Sequence, residues 1–198
     1  MNTLEKINNL TEDEINYNKL QIIRLLSSVR RDGIDKMIQY LESTNFFYDP
    51  ASANYHGAFR GGLAQHSLCV YNILMDFKNK ELLNASREEI VICSLLHDVC
   101  KINTYSLALK NVKENGVWIQ VPAYKNENPE FPYGHGEKSV DIIRDYINLT
   151  VNEKLAIRWH MGAYVGKDQW GELGQAQDLS MLAYWLNVAD MFASRYLC

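Results

Sequence analysis

The chain has 198 residues, 47% of them hydrophobic and 22% charged, with 20 Lys and Arg against 24 Asp and Glu. These are the proportions of an ordinary folded domain, and they exclude a disordered, collagen-like or membrane-spanning chain; no stretch approaches the roughly 18 uninterrupted apolar residues of a spanning helix. A net charge of −4 provides no basic field for holding long nucleic acid or anionic membrane through counterion release, which leaves a local basic pocket as the route to an anionic ligand.

The four cysteines, Cys69, Cys93, Cys100 and Cys198, lack CxxC spacing and are too sparse for a disulfide framework, a pattern of reducing compartments. The N-terminus, MNTLEKINNLTEDE, is acidic and has no apolar signal-peptide core, so the expected location is cytoplasmic. No repeat, low-complexity tract or linker divides the chain, and one domain over 1–198 is expected.

Thr11-x-x-Glu14, Ser86-x-x-Glu89 and Thr150-x-x-Glu153 each have the form of a capping box, in which hydroxyl and carboxylate satisfy unpaired helix N-terminal amides. After Thr11, the positions of Ile15, Leu20, Ile22, Ile23 and Leu26 predict a first helix, and Ile34, Met37, Ile38 and Leu41 a second. A third is expected over Leu63–Phe77 and a fourth over Ser86–His97. Across Tyr105–Tyr124, two strand-like runs flank Asn115-Gly116, a pair that tolerates the positive φ angles of a type I′ turn, so a small β-hairpin is expected there. Further helices are expected over Gly136–Ile147, Thr150–Trp159 and Leu179–Leu197. The Gly-rich stretch Met161–Gly174 reads as a mobile loop. Trp159, Tyr184 and Trp185 lie at helical spacing and read as core.

The histidines carry the chemical information, and there are five: His56, His66, His97, His135 and His160. A single histidine beside apolar neighbours is more often a hydrogen-bonded core residue than a ligand. The ordered set is a different matter. His66, then His97-Asp98, then His135, His160 and Asp190 resembles the HD superfamily of metal-dependent phosphohydrolases. Gly61-Gly62-Leu63-Ala64-Gln65-His66-Ser67-Leu68 resembles the GGLxxHxL helix of part of that superfamily, and Leu95-Leu96-His97-Asp98-Val99-Cys100-Lys101 its LLHDxxK signature. Phe131 to Ser139 and Ala156 to Gly162 are similar to segments of uncharacterised bacterial and phage HD proteins. Tyr55-His56-x3-Arg60-Gly61-Gly62-Leu63 is similar to the stretch before the first ligand in HD-domain 3′→5′ exoribonucleases, but those carry an added OB-type domain for which this chain has no room.

The resemblance implies an all-α fold: an HD-domain helical bundle with a small β-hairpin insertion, in which N-terminal helices within 1–45 precede an HD core over 53–196. It implies one or two divalent metal ions, with His66, His97, Asp98 and Asp190 around one, His135 and His160 around a second, and Asp98 bridging. Imidazole and carboxylate suit ions such as Fe, Mn, Co, Ni and Zn, with Mg also among the expected ions, whereas thiolates select softer ones; on that basis the cysteines are set aside as ligands. These residues are too far apart in sequence for one helix, at about 1.5 Å per residue, to unite them, so they must converge from separate helices. Neighbouring helical side chains diverge by about 100°, so His97 and Asp98 can share an ion only where their helix ends.

An ion that acidifies bound water, or a pair that clamps attacking and leaving oxygens, points to displacement at phosphorus. The expected activity is hydrolysis of a phosphoester or phosphoanhydride bond in a nucleotide or short oligonucleotide. By the resemblance, Lys101 pairs with a phosphate oxygen; read without it, Lys101 is a solvated loop residue. Arg60, Lys138 and Arg158 each flank a ligand motif and are further candidates for phosphate contacts. His56 either orients or protonates a leaving group or caps a loop. Tyr105, Trp118, Tyr124, Phe131 and Tyr133 either stack on a nucleobase or form the hairpin's own packing face. The expected partner is a small phosphorylated substrate, with no long duplex nucleic acid and no membrane, and the apolar N-terminal helices could support a homo-oligomer. Two other functions stay open: a di-iron oxygenase acting on a small organic substrate, and a non-catalytic metal- or ligand-binding module.

Overall fold

A computed structural model of the protein describes residues 9–127 and 133–197. Among these, eight α-helices and one antiparallel hairpin make up the regular structure, with 3-10 turns between. The helices are α1 (Glu12–Leu26), α2 (Ile34–Ser43), α3 (Gly62–Asn79), α4 (Arg87–Leu96), α5 (His135–Arg144), α6 (Val151–Arg158), α7 (Trp170–Leu179) and α8 (Met181–Tyr196), and the strands are β1 (Tyr105–Glu114) and β2 (Val117–Asn126).

All three capping boxes are present, at Thr11, Ser86 and Thr150, each with the reciprocal hydroxyl and glutamate contacts. They fix where α1, α4 and α6 begin. One hydrophobic cluster then runs from Ile22 and Leu26 of α1 through Leu63 and Val70 of α3 and the fully buried run Ile90–Leu96 of α4 to Ala156, Ile157 and Ala189. Helix α3 packs against α4 and α8, and α6 against α5 and α8, so the middle of the bundle is shared by α3, α4, α6 and α8. Leu20 stands off the buried stripe of Ile15, Ile22 and Leu26 and is exposed.

The hairpin pairs Tyr105 with Asn126 and Glu114 with Val117. Asn115 and Gly116 take φ values of 50° and 83°, the left-handed pair of a type I′ turn. Most strand residues are half-buried or exposed, so the hairpin stands on the bundle as an appendage. Its root is tied by Glu127 N–H donating to the Thr104 carbonyl, and Lys110 reaches Asn54 Oδ1 at 3.3 Å.

Two expectations need correction. Met161–Gly174 is ordered as two 3-10 turns, Gly162–Tyr164 and Lys167–Gln169, followed by the start of α7. Its glycines argued for a loop, but Leu173 and Ala176 of α7 pack on Trp159, and that burial outweighs the local propensity. Tyr184 is exposed rather than core, unlike Trp159 and the partly buried Trp185. Helix α8 starts at Met181 because Ser180 caps it through the Ala183 amide.

Behind α6, Glu153 is completely buried and receives Arg31 Nη1 at 2.9 and 2.7 Å as well as the Thr150 amide at 2.7 Å. This pair ties the chain after α1 to the start of α6. Arg31→Met leaves that carboxylate without its cation, and a loss of about 3 kcal/mol, the lower end for a broken buried pair, is expected in urea unfolding; an unchanged midpoint would contradict it.

Candidate metal centre

Three of the centre's five residues stand where helices stop. Helix α4 ends at Leu96, His97 is its C-cap, and Asp98 leaves the helical path at φ −111°, ψ 17° before the 3-10 turn Val99–Lys101. That unwinding lets two adjacent side chains face the same point. His66 comes from the second turn of α3, His160 from the turn after α6, and Asp190 from the middle of α8.

These five residues converge. His66 Nε2 lies 3.0 Å from Asp190 Oδ1 and 3.8 Å from Asp98 Oδ2, His97 Nε2 lies 3.4 Å from Asp98 Oδ2, and His160 Nε2 lies 3.4 Å from Asp98 Oδ1. Two of the imidazoles are oriented by backbone. His97 Nδ1 donates to the Ser94 carbonyl at 2.9 Å and His160 Nδ1 to the Ile157 carbonyl at 2.7 Å, which leaves each Nε2 lone pair aimed inward. Among the described residues, His66 Nε2, His97 Nε2, His160 Nε2 and Asp98 Oδ1 are buried with no hydrogen-bond partner. Each orphan costs about 1–3 kcal/mol, and a shared cation would satisfy all of them.

The separations agree with that. Ligand atoms about 2.1 Å from one ion are roughly 3.0 Å apart at right angles and 3.4 Å apart at tetrahedral angles, the range spanned by the shortest pairs. His66, His97 and Asp98 form one group whose ligand atoms lie within 4.8 Å of one another, and His97, His160 and Asp190 form a second. The residues fit a divalent cation.

Electrostatics keep the carboxylates ionised. Burial alone would push the Asp98 carboxyl up, but the Lys101 ammonium beside it outweighs that and holds the group well below the ordinary range. Asp190 is likewise held low against burial, chiefly by His66. Lys101 is no solvated loop residue: it is 7% exposed, with Nζ 2.6 Å from Asp98 Oδ2. Asp98 and Asp190 raise its pKa against burial.

His135 stands to one side. It opens α5 and is exposed, and its Nδ1 lies 3.6 Å from Cys100 Sγ; the two residues and Asp98 form a third group within 4.8 Å. Burial pushes the Cys100 thiol up to about 12. Helix α5 reaches this position because residue 136 is glycine: a Cβ there would lie 2.1 Å from the Arg158 carbonyl oxygen.

The other candidates are spread around the cluster. His56 lies in the loop before α3, its ring centroid 4.8 Å from that of His66 and its Nε2 buried without a hydrogen bond. Burial, with His66 and Lys101, pushes its pKa down to about 4. Arg60 pairs with Glu12 at 2.7 Å and lies over the Tyr48 ring. Arg158 pairs with Glu137 and stacks on Trp159. Lys138 lines a cleft of about 460 Å³ with Asp141, Ile142, Arg144 and Asp145. Tyr105 and Tyr124 are half-buried at the hairpin root, Trp118 and Tyr133 are exposed, and Phe131 lies outside the described residues.

Sequence reasoning missed the supporting residues. Asn187, one turn before Asp190 on α8, donates to the His160 carbonyl at 2.7 Å, and Ser139 accepts the Cys100 amide at 3.3 Å. For Asn187 the available signal was a polar residue one turn from a candidate ligand on an apolar helix; Ser139, among the polar residues of α5, offered none.

The family model for the HD domain matches residues 63–193, well over half of the chain. The chain belongs to the HD domain family. HD domains are generally metal-dependent hydrolases, and the convergent imidazoles and carboxylates here lie within the matched span. Searches of the curated proteins and of the solved structures each return no match. Among the described residues of this HD domain, no helix is long and apolar enough to cross a membrane.

The contact of Gly136 with α6 can be tested against a glycine that touches nothing. Gly136→Ala should lose about 1–3 kcal/mol through overpacking, whereas Gly174→Ala, where a Cβ meets no atom within 4 Å inside α7, should gain about 0.4–1 kcal/mol. Equal unfolding midpoints for the two variants would contradict the assigned packing.

Proposed function

We propose that this HD domain is a metal-dependent phosphohydrolase that cleaves a phosphoester or phosphoanhydride bond of a nucleotide or short oligonucleotide. The observation that carries this reading is the set of buried, unpartnered Nε2 atoms of His66, His97 and His160 around the Asp98 carboxylate. His66, His97, Asp98 and Asp190 would hold one ion; His160, expected beside His135, would join them instead, because its Nε2 is 3.4 Å from Asp98 Oδ1 and it groups with His97 and Asp190, which leaves His135 with Asp98 for a second. Fe, Co, Ni and Zn suit the imidazole donors, and the two carboxylates also admit Mn; Mg prefers all-oxygen ligation. A divalent ion in such a cluster supplies an acidified water as nucleophile and neutralises charge on phosphoryl oxygens.

The chain's own residues supply the rest. Lys101 keeps a positive charge beside Asp98, where a phosphate adds negative charge. Lys138, three residues along α5 from His135 and without an ion pair among the described residues, is a further cation for the substrate's phosphates. Arg60 and Arg158 would have to release Glu12 and Glu137 to join them. His56, neutral at pH 7, offers an imidazole N–H to a substrate oxygen rather than an imidazolium proton. Tyr105 lies near enough to Lys101 and Asp98 for their charges to act on its hydroxyl, and it is the aromatic best placed to stack on a base; Trp118, next to the turn, belongs to the far end of the hairpin. The partner is a small phosphorylated compound, and the location in this proposal is cytoplasmic.

The test is a panel of nucleoside mono- and triphosphates, cyclic nucleotides, dinucleotides and short RNA, incubated with protein and Mn²⁺ or Co²⁺ and resolved by chromatography with mass detection. At least one substrate should release phosphate, tripolyphosphate or a mononucleotide, and Asp98→Ala should cut the rate by more than about 10³-fold. No turnover by metal-loaded protein across the panel would overturn the proposal.

A further inference from the structure

Cys100 occupies the middle of the 3-10 turn Val99–Lys101 and is 4% exposed. Its sulfur faces Nδ1 of His135 at 3.6 Å, and a carboxylate oxygen of Asp98 lies within 4.8 Å of both. The Asp98 carboxylate is itself buried with Oδ1 unpartnered. We propose that Cys100 is a thiolate ligand, with His135 and Asp98, of a borderline divalent ion of the zinc, cobalt or ferrous class, so that the His135 side of the centre is a sulfur, nitrogen and oxygen site. The proposal rests on the metal-centre reading and is independent of the hydrolytic one.

The geometry is that of two ligands on one ion. Sulfur about 2.3 Å and imidazole nitrogen about 2.0–2.1 Å from a tetrahedral ion are separated by roughly 3.6 Å, the spacing observed here. The arrangement is held from both sides. The Cys100 amide donates to Ser139 Oγ, one helical turn along α5 from His135, and Gly136 lets that helix close onto Arg158. The sulfur and the imidazole are therefore fixed by the same docking of α5 onto the turn.

Binding exchanges one bond for another. The Cys100 S–H bond breaks, a sulfur–metal bond forms, and the proton passes to solvent, with no change of oxidation state. Only an ion with appreciable thiolate affinity drives that exchange; magnesium, calcium and manganese favour oxygen ligands. The rival use of the same contact is a thiol donating to His135 Nδ1, which a serine could replace.

Cobalt separates the two. Full-length protein stripped of metal is titrated with Co²⁺ under anaerobic, reducing conditions, the visible ligand-field bands reporting bound cobalt and a near-ultraviolet charge-transfer band reporting a sulfur ligand. The wild type should show both. Cys100→Ser should lose the charge-transfer band and keep ligand-field bands from the His66 side, His135→Ala should lose the charge-transfer band, and Cys93→Ser should retain it, with circular dichroism confirming the fold of each. Ligand-field bands without a charge-transfer band in the wild type would overturn the proposal and leave the metal centre standing. A charge-transfer band that survives in Cys100→Ser would overturn it by assigning the sulfur elsewhere, and the absence of all cobalt bands would overturn both readings.

Discussion

Asp98 is a carboxylate almost fully removed from water, and the centre of the bundle is arranged around that fact. An isolated charge in such a place costs several kcal/mol even after relaxation, so the group stays ionised only because cationic or hydrogen-bonding partners surround it. Lys101 supplies the nearest charge, three residues along the same turn. His66, His97 and His160 approach from α3, the end of α4 and the end of α6. Their Nε2 atoms remain without hydrogen bonds, so the protein alone leaves the cluster incomplete. A divalent cation would complete it with one charge source and several coordination bonds.

The same constraint explains the disposition of the helices. Asp98 can reach the centre only if α4 stops at Leu96, and the fully buried run before it anchors that stop in the core. Helix α8 brings two groups on one face: Asp190 into the cluster, and Asn187 onto the backbone of His160. The pairing of Arg31 with the buried Glu153 ties the start of α6 to the chain after α1, and α6 in turn sets the position of His160. Residues remote from the centre thus act on it through the placement of helix ends.

What the sequence made legible was whatever depends on neighbours in the chain. Three capping boxes marked three helix starts, because the hydroxyl and the carboxylate that satisfy the first amides are three residues apart. Asn115-Gly116 marked the hairpin for a similar reason. The demand that α4 end beside His97 and Asp98 followed from the angle between adjacent side chains. Helix α7 was illegible: Gly166, Gly171 and Gly174 suggest a loop, and only the packing of Leu173 and Ala176 on Trp159 makes a helix of it. Exposure of Leu20 and Tyr184 was equally hidden, since the width of a buried stripe depends on what packs against it. The approach of Cys100 to His135 depends on a glycine of α5 lying against the backbone of α6, a contact between segments with no signal in either.

The imidazoles and carboxylates around Asp98 have the donors and spacing to hold a divalent metal ion. Elemental analysis of purified protein, dialysed after supply with zinc, manganese, iron or cobalt, tests it most directly alongside Asp98→Asn. At least one tightly held divalent ion per wild-type chain is expected, and its loss from a folded Asp98→Asn variant. A wild-type chain that retains none of these ions, or a variant that retains as much as the wild type, would contradict it.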